Sequence, residues 1–112
     1  MDKVKNDRYY VEQIVRDIDW ILADSKHARF SDLEENDPFL DAIGFRLNSI
    51  RESAKGLSSD FVSSHPTIDF NTLVSFRNAI THNYESIDMS AYRELVKKDL
   101  PEIRKILLAY LD

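Results

Sequence analysis

The chain has 112 residues, of which 43% are hydrophobic, and a formal net charge of −5. That length suits one domain with one core, and that apolar fraction excludes a disordered, charge-dominated chain. The lack of cysteine excludes disulfide scaffolds, thiolate metal sites and cysteine nucleophiles. Because the sequence holds only 2 glycines and 3 prolines, it has few helix breakers and long helices are expected.

The negative charge argues against a general nucleic-acid binder, because affinity for phosphates comes mainly from clustered lysine and arginine. Action on RNA would need a local basic site or a site assembled from two subunits. The sequence shows neither a secretory leader pattern nor an apolar run close to the roughly 20 residues of a membrane span. We therefore expect a cytoplasmic protein without a membrane partner.

The first predicted helix runs from about Asp7 to Lys26. A polar, acidic segment from Ser31 to Pro38 is typical of a connector. The second helix is predicted from Pro38, with Asp37 as its cap, to about Gly56. In both helices the apolar residues follow the three-and-four spacing of one buried stripe. These residues are Val11, Ile14, Ile18, Ile21 and Leu22 in the first helix, and Leu40, Ile43, Leu47, Ile50 and Ala54 in the second.

A serine-rich loop that ends at His65-Pro66 is predicted to follow the second helix. The third helix should begin near Asp69 and run to about Asn83, with Leu73, Phe76 and Ile80 on its apolar side. Asn83 is a plausible terminator, since asparagine is the residue best suited after glycine to a left-handed helix end.

Asp88 or Ser90 is expected to cap a fourth helix, which Pro101 interrupts. Asp99, followed three residues later by Glu102, resembles an acidic capping box that restarts the helix after a kink. No strand-like alternation or internal repeat is evident. The sequence therefore predicts an all-α fold, an antiparallel bundle of four to five helices that forms a single domain over residues 1–112.

One dense polar cluster stands at the end of the otherwise apolar third helix, Arg77-Asn78-Ala79-Ile80-Thr81-His82-Asn83-Tyr84. Asn78 and His82 are four residues apart and share a helical face. Arg77 and His82 are five apart, which separates them by about 140° around the axis and about 7.5 Å along it. Either the helix ends near His82 and that ring turns back, or two copies of the helix meet across a dimer axis.

Such a cluster is suited to cleaving RNA without a metal, because RNA carries its own nucleophile, the ribose 2′-hydroxyl. His82, which titrates near neutrality, suits proton transfer, and the planar donors of Arg77 suit phosphate. Asn78 could orient His82 or the phosphate, and Tyr84 could stack a base or carry a modification. A purely structural alternative remains open, in which Arg77 extends along apolar surface, His82 caps the helix and Tyr84 packs.

The remaining histidines do not suggest a metal site, since His27, His65 and His82 are few and scattered. His27, at the end of the first helix, complements the helix dipole, and His65 before a proline is expected to be structural. We expect no metal and no cofactor.

The segment 76–84 resembles the signature of HEPN domains of the HepT class: arginine, four residues, histidine, one residue, tyrosine. The resemblance extends over most of the chain. Residues 41–47 and the His65-Pro66 loop are similar to the second helix of that family and the approach to its third. Ile87-Asp88 and Asp99-Leu100-Pro101 are similar to its closing helices.

This resemblance implies a helical-bundle homodimer in which Arg77 and His82 line a cleft between subunits as the catalytic residues of a metal-independent ribonuclease. Members of the class are toxins of type VII-like toxin–antitoxin systems. A minimal nucleotidyltransferase antitoxin silences them by transferring AMP from ATP onto the motif tyrosine, here Tyr84. The partners implied are RNA, that antitoxin and a second copy of the chain, with Asn78 in a binding role and no DNA partner.

Two other functions remain open at this point. HEPN relatives also serve as non-catalytic, substrate-binding partners of nucleotidyltransferases, in which case Arg77 and His82 would bind phosphate but cleave nothing. The chain could also be a dimerising scaffold with Tyr84 in its interface. The combination of an arginine, a histidine and a modifiable tyrosine favours the ribonuclease.

Overall fold

The computed structural model describes residues 5–26, 38–82 and 89–112, without the side chains of residues 38, 39, 79–82 and 89. Within these ranges the chain is helical with short turns and contains no strand, which confirms the predicted all-α class. The helices are α1 (Asp7–Ser25), α2 (Pro38–Lys55), α3 (Ser59–Ser64), α4 (Phe70–His82), α5 (Met89–Glu94) and α6 (Leu100–Leu111). A π-helical turn, Leu95–Asp99, joins α5 to α6.

Helix α1 forms because a capped start is followed by a continuous apolar stripe. The side chain of Asn6 accepts a hydrogen bond from the Tyr9 N–H at 3.0 Å and so satisfies one of the free donors at the helix start. The predicted stripe is confirmed, and its burial supplies the main driving force for docking this helix. Its fully buried members are Val11, Ile14, Ile18 and Ile21.

Helices α1 and α2 run antiparallel and approach closely at one end. Arg46 lies 3.4 Å from Asp17 near the middle of the pair, and Gly56 lies against Tyr10 near the end. A Cβ atom at Gly56 would overlap the Tyr10 ring. A side chain at position 56 would therefore have to displace the Tyr10 ring from this contact.

Helix α6 lies antiparallel on the other side of α1. The Arg8 guanidinium donates to the Leu111 carbonyl at 3.2 Å, and Arg104 Nε donates to Asp19 Oδ1 at 2.6 Å. These contacts join the start of α1 to the end of α6, and the later part of α1 to the beginning of α6. The antiparallel arrangement predicted from the sequence is confirmed for α1 with α2 and for α1 with α6.

The core lies between α1, α2, α4 and the segment from α5 to α6. Within the core, Ser25 is hydrogen-bonded to the fully buried Tyr92, and their hydroxyl oxygens are 2.8 Å apart. Burial raises the pKa of the Tyr92 phenol. No helix in the described part of the chain has both the length and the hydropathy for a membrane span.

The serine-rich segment from the end of α2 to His65-Pro66 is predicted to be a loop, and this is wrong for Ser59–Ser64, which are helical. Ser58 caps a short helix, α3, by accepting the Phe61 N–H at 3.1 Å. Phe61 is buried, with 4% of its surface exposed, and anchors that helix to the core. One cap and one anchoring aromatic residue therefore replace most of the expected loop.

The expected start of the fourth helix is corrected in one respect. Ser90 lies inside α5, which begins at Met89, so Ser90 is not its N-cap. The other proposed cap, Asp88, lies outside the described residues, as do Asp37 and Asn83.

The proposed capping box at Asp99 and Glu102 is also wrong. Asp99 has helical dihedral angles (φ −64°, ψ −51°) and its side chain forms no capping hydrogen bond. Instead of breaking at Pro101, the helix widens, and the Leu100 N–H bonds to the Leu95 carbonyl five residues earlier. The wider turn makes room for the proline ring, which would meet the carbonyl of residue 97 in a regular α-helix.

Candidate active site

Helix α4 carries the polar cluster and is fixed at its start by Asp69. The Asp69 carboxylate accepts hydrogen bonds from the N–H groups of Asn71 at 3.0 Å and Thr72 at 3.3 Å. Leu73 and Phe76 then face the core, with 1% and 9% of their surface exposed. This packing sets the rotation of α4 about its axis and therefore the side of the helix on which Arg77 and Asn78 lie.

Arg77 and Asn78 are the two motif residues whose side chains the structure describes. Arg77 is half-buried beside Phe76, and Asn78 is exposed. Arg77 Nη1 donates a hydrogen bond to Asn78 Oδ1 at 3.1 Å. The amide thereby restrains the guanidinium, a planar group whose fork geometry matches phosphate oxygens. The sequence suggested that Asn78 orients His82 or the phosphate, whereas its described contact is with Arg77.

His82 is the last residue of α4, so the backbone from Arg77 to His82 is helical. The separation expected from the sequence, about 140° around the axis and about 7.5 Å along it, therefore applies to these two backbone positions. The His82 side chain and all of Tyr84 lie outside the described residues. Their predicted roles, and the two ways of bringing His82 to Arg77, stay predictions.

Carboxylates gather at the opposite end of α4 from Arg77. Asp69, Asp99 and Glu102 line a cavity of about 190 Å³. The hydroxyl of Thr72, which donates to Asp69 at 2.8 Å, lowers the pKa of that carboxyl below 3.8. Burial, followed by the charge of Glu94, raises the pKa of Asp99. Arg77 is about 12 Å further along the axis than Asp69, so these carboxylates are well separated from the guanidinium.

The histidine before the proline has the structural surroundings that were expected. His65 Nδ1 lies 2.8 Å from the Phe61 carbonyl oxygen, and its ring stacks on Phe61 with centroids 4.1 Å apart. His27 lies outside the described residues. Within the described ranges, no group of three or more histidine or carboxylate side chains is arranged to hold a metal ion.

Comparison with known proteins agrees with the resemblance of residues 76–84 to the HepT signature. A family model described as "Ribonuclease HepT-like" matches residues 11–109. "Putative RNase TTE0752" of Caldanaerobacter subterraneus is 24% identical over 91% of this chain and 91% of its own length. "Putative RNase MJ1380" of Methanocaldococcus jannaschii is 24% identical over 86% of this chain and 88% of its own. "Putative RNase MJ0125" of the same archaeon is 26% identical over 86% and 83%.

No solved structure matches the chain. The family model nevertheless covers α1 almost from its start and extends nearly to the end of α6. It therefore includes the packing of α4 on the core as well as the segment from Arg77 to Tyr84. The chain belongs to the HepT-like ribonuclease family.

Proposed function

We propose that this chain is the toxin of a type VII-like toxin–antitoxin system, a metal-independent endoribonuclease whose catalytic residues are Arg77 and His82. The observation that carries the proposal is the position of both residues on one core-anchored helix, α4, of a chain that belongs to a ribonuclease family. The relatives whose names describe them as putative RNases match 91% and 86% of this chain.

The proposed reaction uses the 2′-hydroxyl of the RNA as its nucleophile. His82 removes the proton from that hydroxyl, whose oxygen attacks the adjacent phosphorus. Arg77 stabilises the negative charge that develops on the phosphoryl oxygens. The bond from phosphorus to the 5′-oxygen breaks, and that oxygen takes up a proton from water while His82 releases its proton to water, which leaves a 2′,3′-cyclic phosphate and a 5′-hydroxyl. This reaction needs neither a metal ion nor an external nucleophile.

A homodimer would supply the geometry that one helix lacks. Since positions 77 and 82 of α4 are separated by about 140° around the helix axis, a second copy of the helix would allow one arginine–histidine set on each side of a shared phosphodiester. The hydrogen bond from Arg77 to Asn78 supports this role, because a restrained guanidinium loses less conformational entropy on binding phosphate.

The same segment provides a means of control. A minimal nucleotidyltransferase antitoxin would transfer AMP to the Tyr84 hydroxyl, which lies two residues beyond His82 in the sequence. The adduct adds a bulky negative group next to the residues that bind phosphate and would exclude the RNA backbone by charge and size.

The decisive experiment measures RNA cleavage by the purified chain in the presence of EDTA. Arg77→Ala and His82→Ala should each lower the cleavage rate by at least about a hundredfold while the helical circular dichroism is retained, because each removes one part of the reaction. Arg51→Ala and His27→Ala are the matched controls and should cleave like the parent. Full cleavage by both site variants would refute the assignment. An intact, RNA-binding parent that cuts nothing would favour the non-catalytic partner of a nucleotidyltransferase.

A second experiment tests the control of the site. Tyr84→Phe should retain cleavage and growth arrest but should accept no label from α-³²P-ATP in the presence of the nucleotidyltransferase. Tyr110→Phe removes the hydroxyl of an exposed tyrosine of α6 and should be labelled like the parent. Full labelling of Tyr84→Phe would show that the acceptor lies elsewhere.

A further inference from the structure

Two exposed aromatic residues and one arginine form a cluster on the outer side of α1 and α2. Trp20 of α1 and Phe45 of α2 have 48% and 67% of their surface exposed. The guanidinium carbon of Arg46 lies 4.7 Å from the Trp20 ring centroid and 5.8 Å from that of Phe45. We call these three residues the aromatic platform. Single exposed apolar residues are ordinary on a protein surface, whereas a group of large exposed rings around a cation indicates a binding surface.

The platform is preorganised from the core side. Arg46 Nη1 lies 3.4 Å from Asp17 Oδ1, and Asp17 is buried, with 5% of its surface exposed. The buried carboxylate keeps the guanidinium over the rings in the absence of a ligand. Cation–π contact with Trp20 restrains the same group further.

The groove next to the platform favours a negatively charged ligand. Its two carboxylates are neutralised, since Glu12 pairs with Arg8 at 3.1 Å and Asp19 with Arg104 at 2.6 Å. Arg16, in contrast, forms no ion pair with the residues that the structure describes. Among the described residues, the groove therefore carries one positive charge that no ion pair compensates, in a chain whose net charge is −5. It is lined by Glu12, Val15, Arg16, Asp19, Trp20 and Ala23.

We propose that the aromatic platform and this groove bind single-stranded RNA, with bases stacked on Trp20 and Phe45 and phosphates bound by Arg16 and Arg46. Stacking on aromatic and guanidinium planes, next to cations that follow the backbone, is the common way of holding unpaired nucleotides. The inference rests on the proposed ribonuclease function and adds a subsite to it that includes none of the motif residues of α4.

A second copy of this chain is the competing occupant of the same surface. A twofold interface would bring the same patch of both copies together. The guanidinium groups of Arg16 and Arg46 would then be removed from water opposite like charges, which costs free energy. A polyanion that offers flat bases satisfies both the rings and the cations, so the observations favour RNA.

Trp20 is the only tryptophan of the chain, so its fluorescence reports directly on the platform. The wild-type protein is titrated with a 2′-O-methyl oligouridylate of eight nucleotides, which lacks the attacking hydroxyl and cannot be cleaved. We expect saturable quenching by this oligonucleotide. An abasic backbone of equal length should bind at least about tenfold more weakly and quench little, because it offers nothing to stack.

Two variants separate stacking from charge. Phe45→Ala should weaken binding about tenfold or more, whereas Val62→Ala, which removes an exposed apolar side chain from α3, should leave it unchanged. Arg16→Gln should reduce the slope of log affinity against log salt by about 0.7, the value of one phosphate contact on a single strand. Both replaced side chains are exposed, so the variants should fold like the parent.

The inference is overturned if the abasic backbone binds as tightly as the oligouridylate, or if Phe45→Ala binds like the parent. Trp20 fluorescence that depends on protein concentration without RNA, and loses that dependence in Phe45→Ala, would assign the surface to a second copy instead. Cleavage of unmodified RNA is measured in parallel. Cleavage without quenching overturns the platform alone, and quenching without cleavage overturns the catalytic proposal alone.

Discussion

The aspartates at the start of α1 and at the start of α6 have opposite electrostatic surroundings. At the α1 foot (Asp7, Tyr10, Gly56 and Ser58), Asp7 accepts the Ser58 hydroxyl at 2.6 Å and the Ser58 N–H at 2.7 Å. Both bonds lower the pKa of Asp7 below 3.8. At the α6 junction (Asp69, Asp99 and Glu102), burial and the charge of Glu94 raise the pKa of Asp99 instead.

The two regions also differ in packing. At the α1 foot, Tyr10 lies so close to Gly56 that no side chain fits between them. The α6 junction surrounds a cavity of about 190 Å³ and contains the widened turn before Pro101. An aspartate near a helix start therefore stabilises the fold where its neighbours donate hydrogen bonds, and destabilises it where burial and like charges surround it.

The largest expected effect tests the packing of the α1 foot. Gly56→Ala should lower the free energy of unfolding by about 1–3 kcal/mol, because the new methyl group must displace the Tyr10 ring. Urea denaturation measures this loss. Tyr10→Ala removes the obstacle, so adding Gly56→Ala to that variant should cost much less. An equal cost in both backgrounds would show that the overlap with Tyr10 is not the cause.

A smaller effect tests the stabilising aspartate. Asp7→Asn should lower the free energy of unfolding at pH 7 by less than about 1 kcal/mol, since the group is close to solvent and its interactions are screened. Because the folded-state pKa of Asp7 is lowered, its contribution is present above pH 3.8 and is lost as the pH falls through the folded value. Thermal unfolding of parent and variant should therefore converge below that pH. A difference that persists in acid would contradict this explanation.

The smallest expected effect concerns Asp99, where the substitution should stabilise the fold. Asp99→Asn should raise the unfolding temperature slightly at pH 7, because it removes a charge that burial and Glu94 disfavour. The folded-state pKa of Asp99 is raised, so the penalty is present above that value and absent once the pH reaches 3.8. The gain in unfolding temperature should therefore disappear as the pH falls from the folded-state pKa of Asp99 to 3.8. A lower unfolding temperature at pH 7 would mean that Asp99 makes a favourable contact that outweighs the repulsion.

The candidate site was only partly predictable. The spacing of Leu73 and Phe76 predicted α4, and the segment after Phe76 singled out Arg77 and Asn78, because both inferences depend on local helical geometry. The hydrogen bond between Arg77 and Asn78 was not predicted, since adjacent helical residues do not normally face each other. The long arginine side chain bridges that angle.

The sequence by itself determined the helical class, the buried stripes of α1 and α2, and the positions of Arg77, Asn78 and His82 along one helix. These features depend on periods of three and four residues and on caps, which are local properties.

Only the tertiary structure decided that the serine-rich segment forms α3, that the helix widens instead of breaking at Pro101, and that Arg46 lies over Trp20. Helix α3 depends on the burial of Phe61 in the core, and the widened turn depends on the packing around Leu95 and Leu100. The contact of Arg46 with Trp20 joins α2 to α1, and the buried carboxylate of Asp17 holds Arg46 there. Contacts between residues far apart in the chain leave no periodic signal in the sequence, so they appear only once the helices have packed.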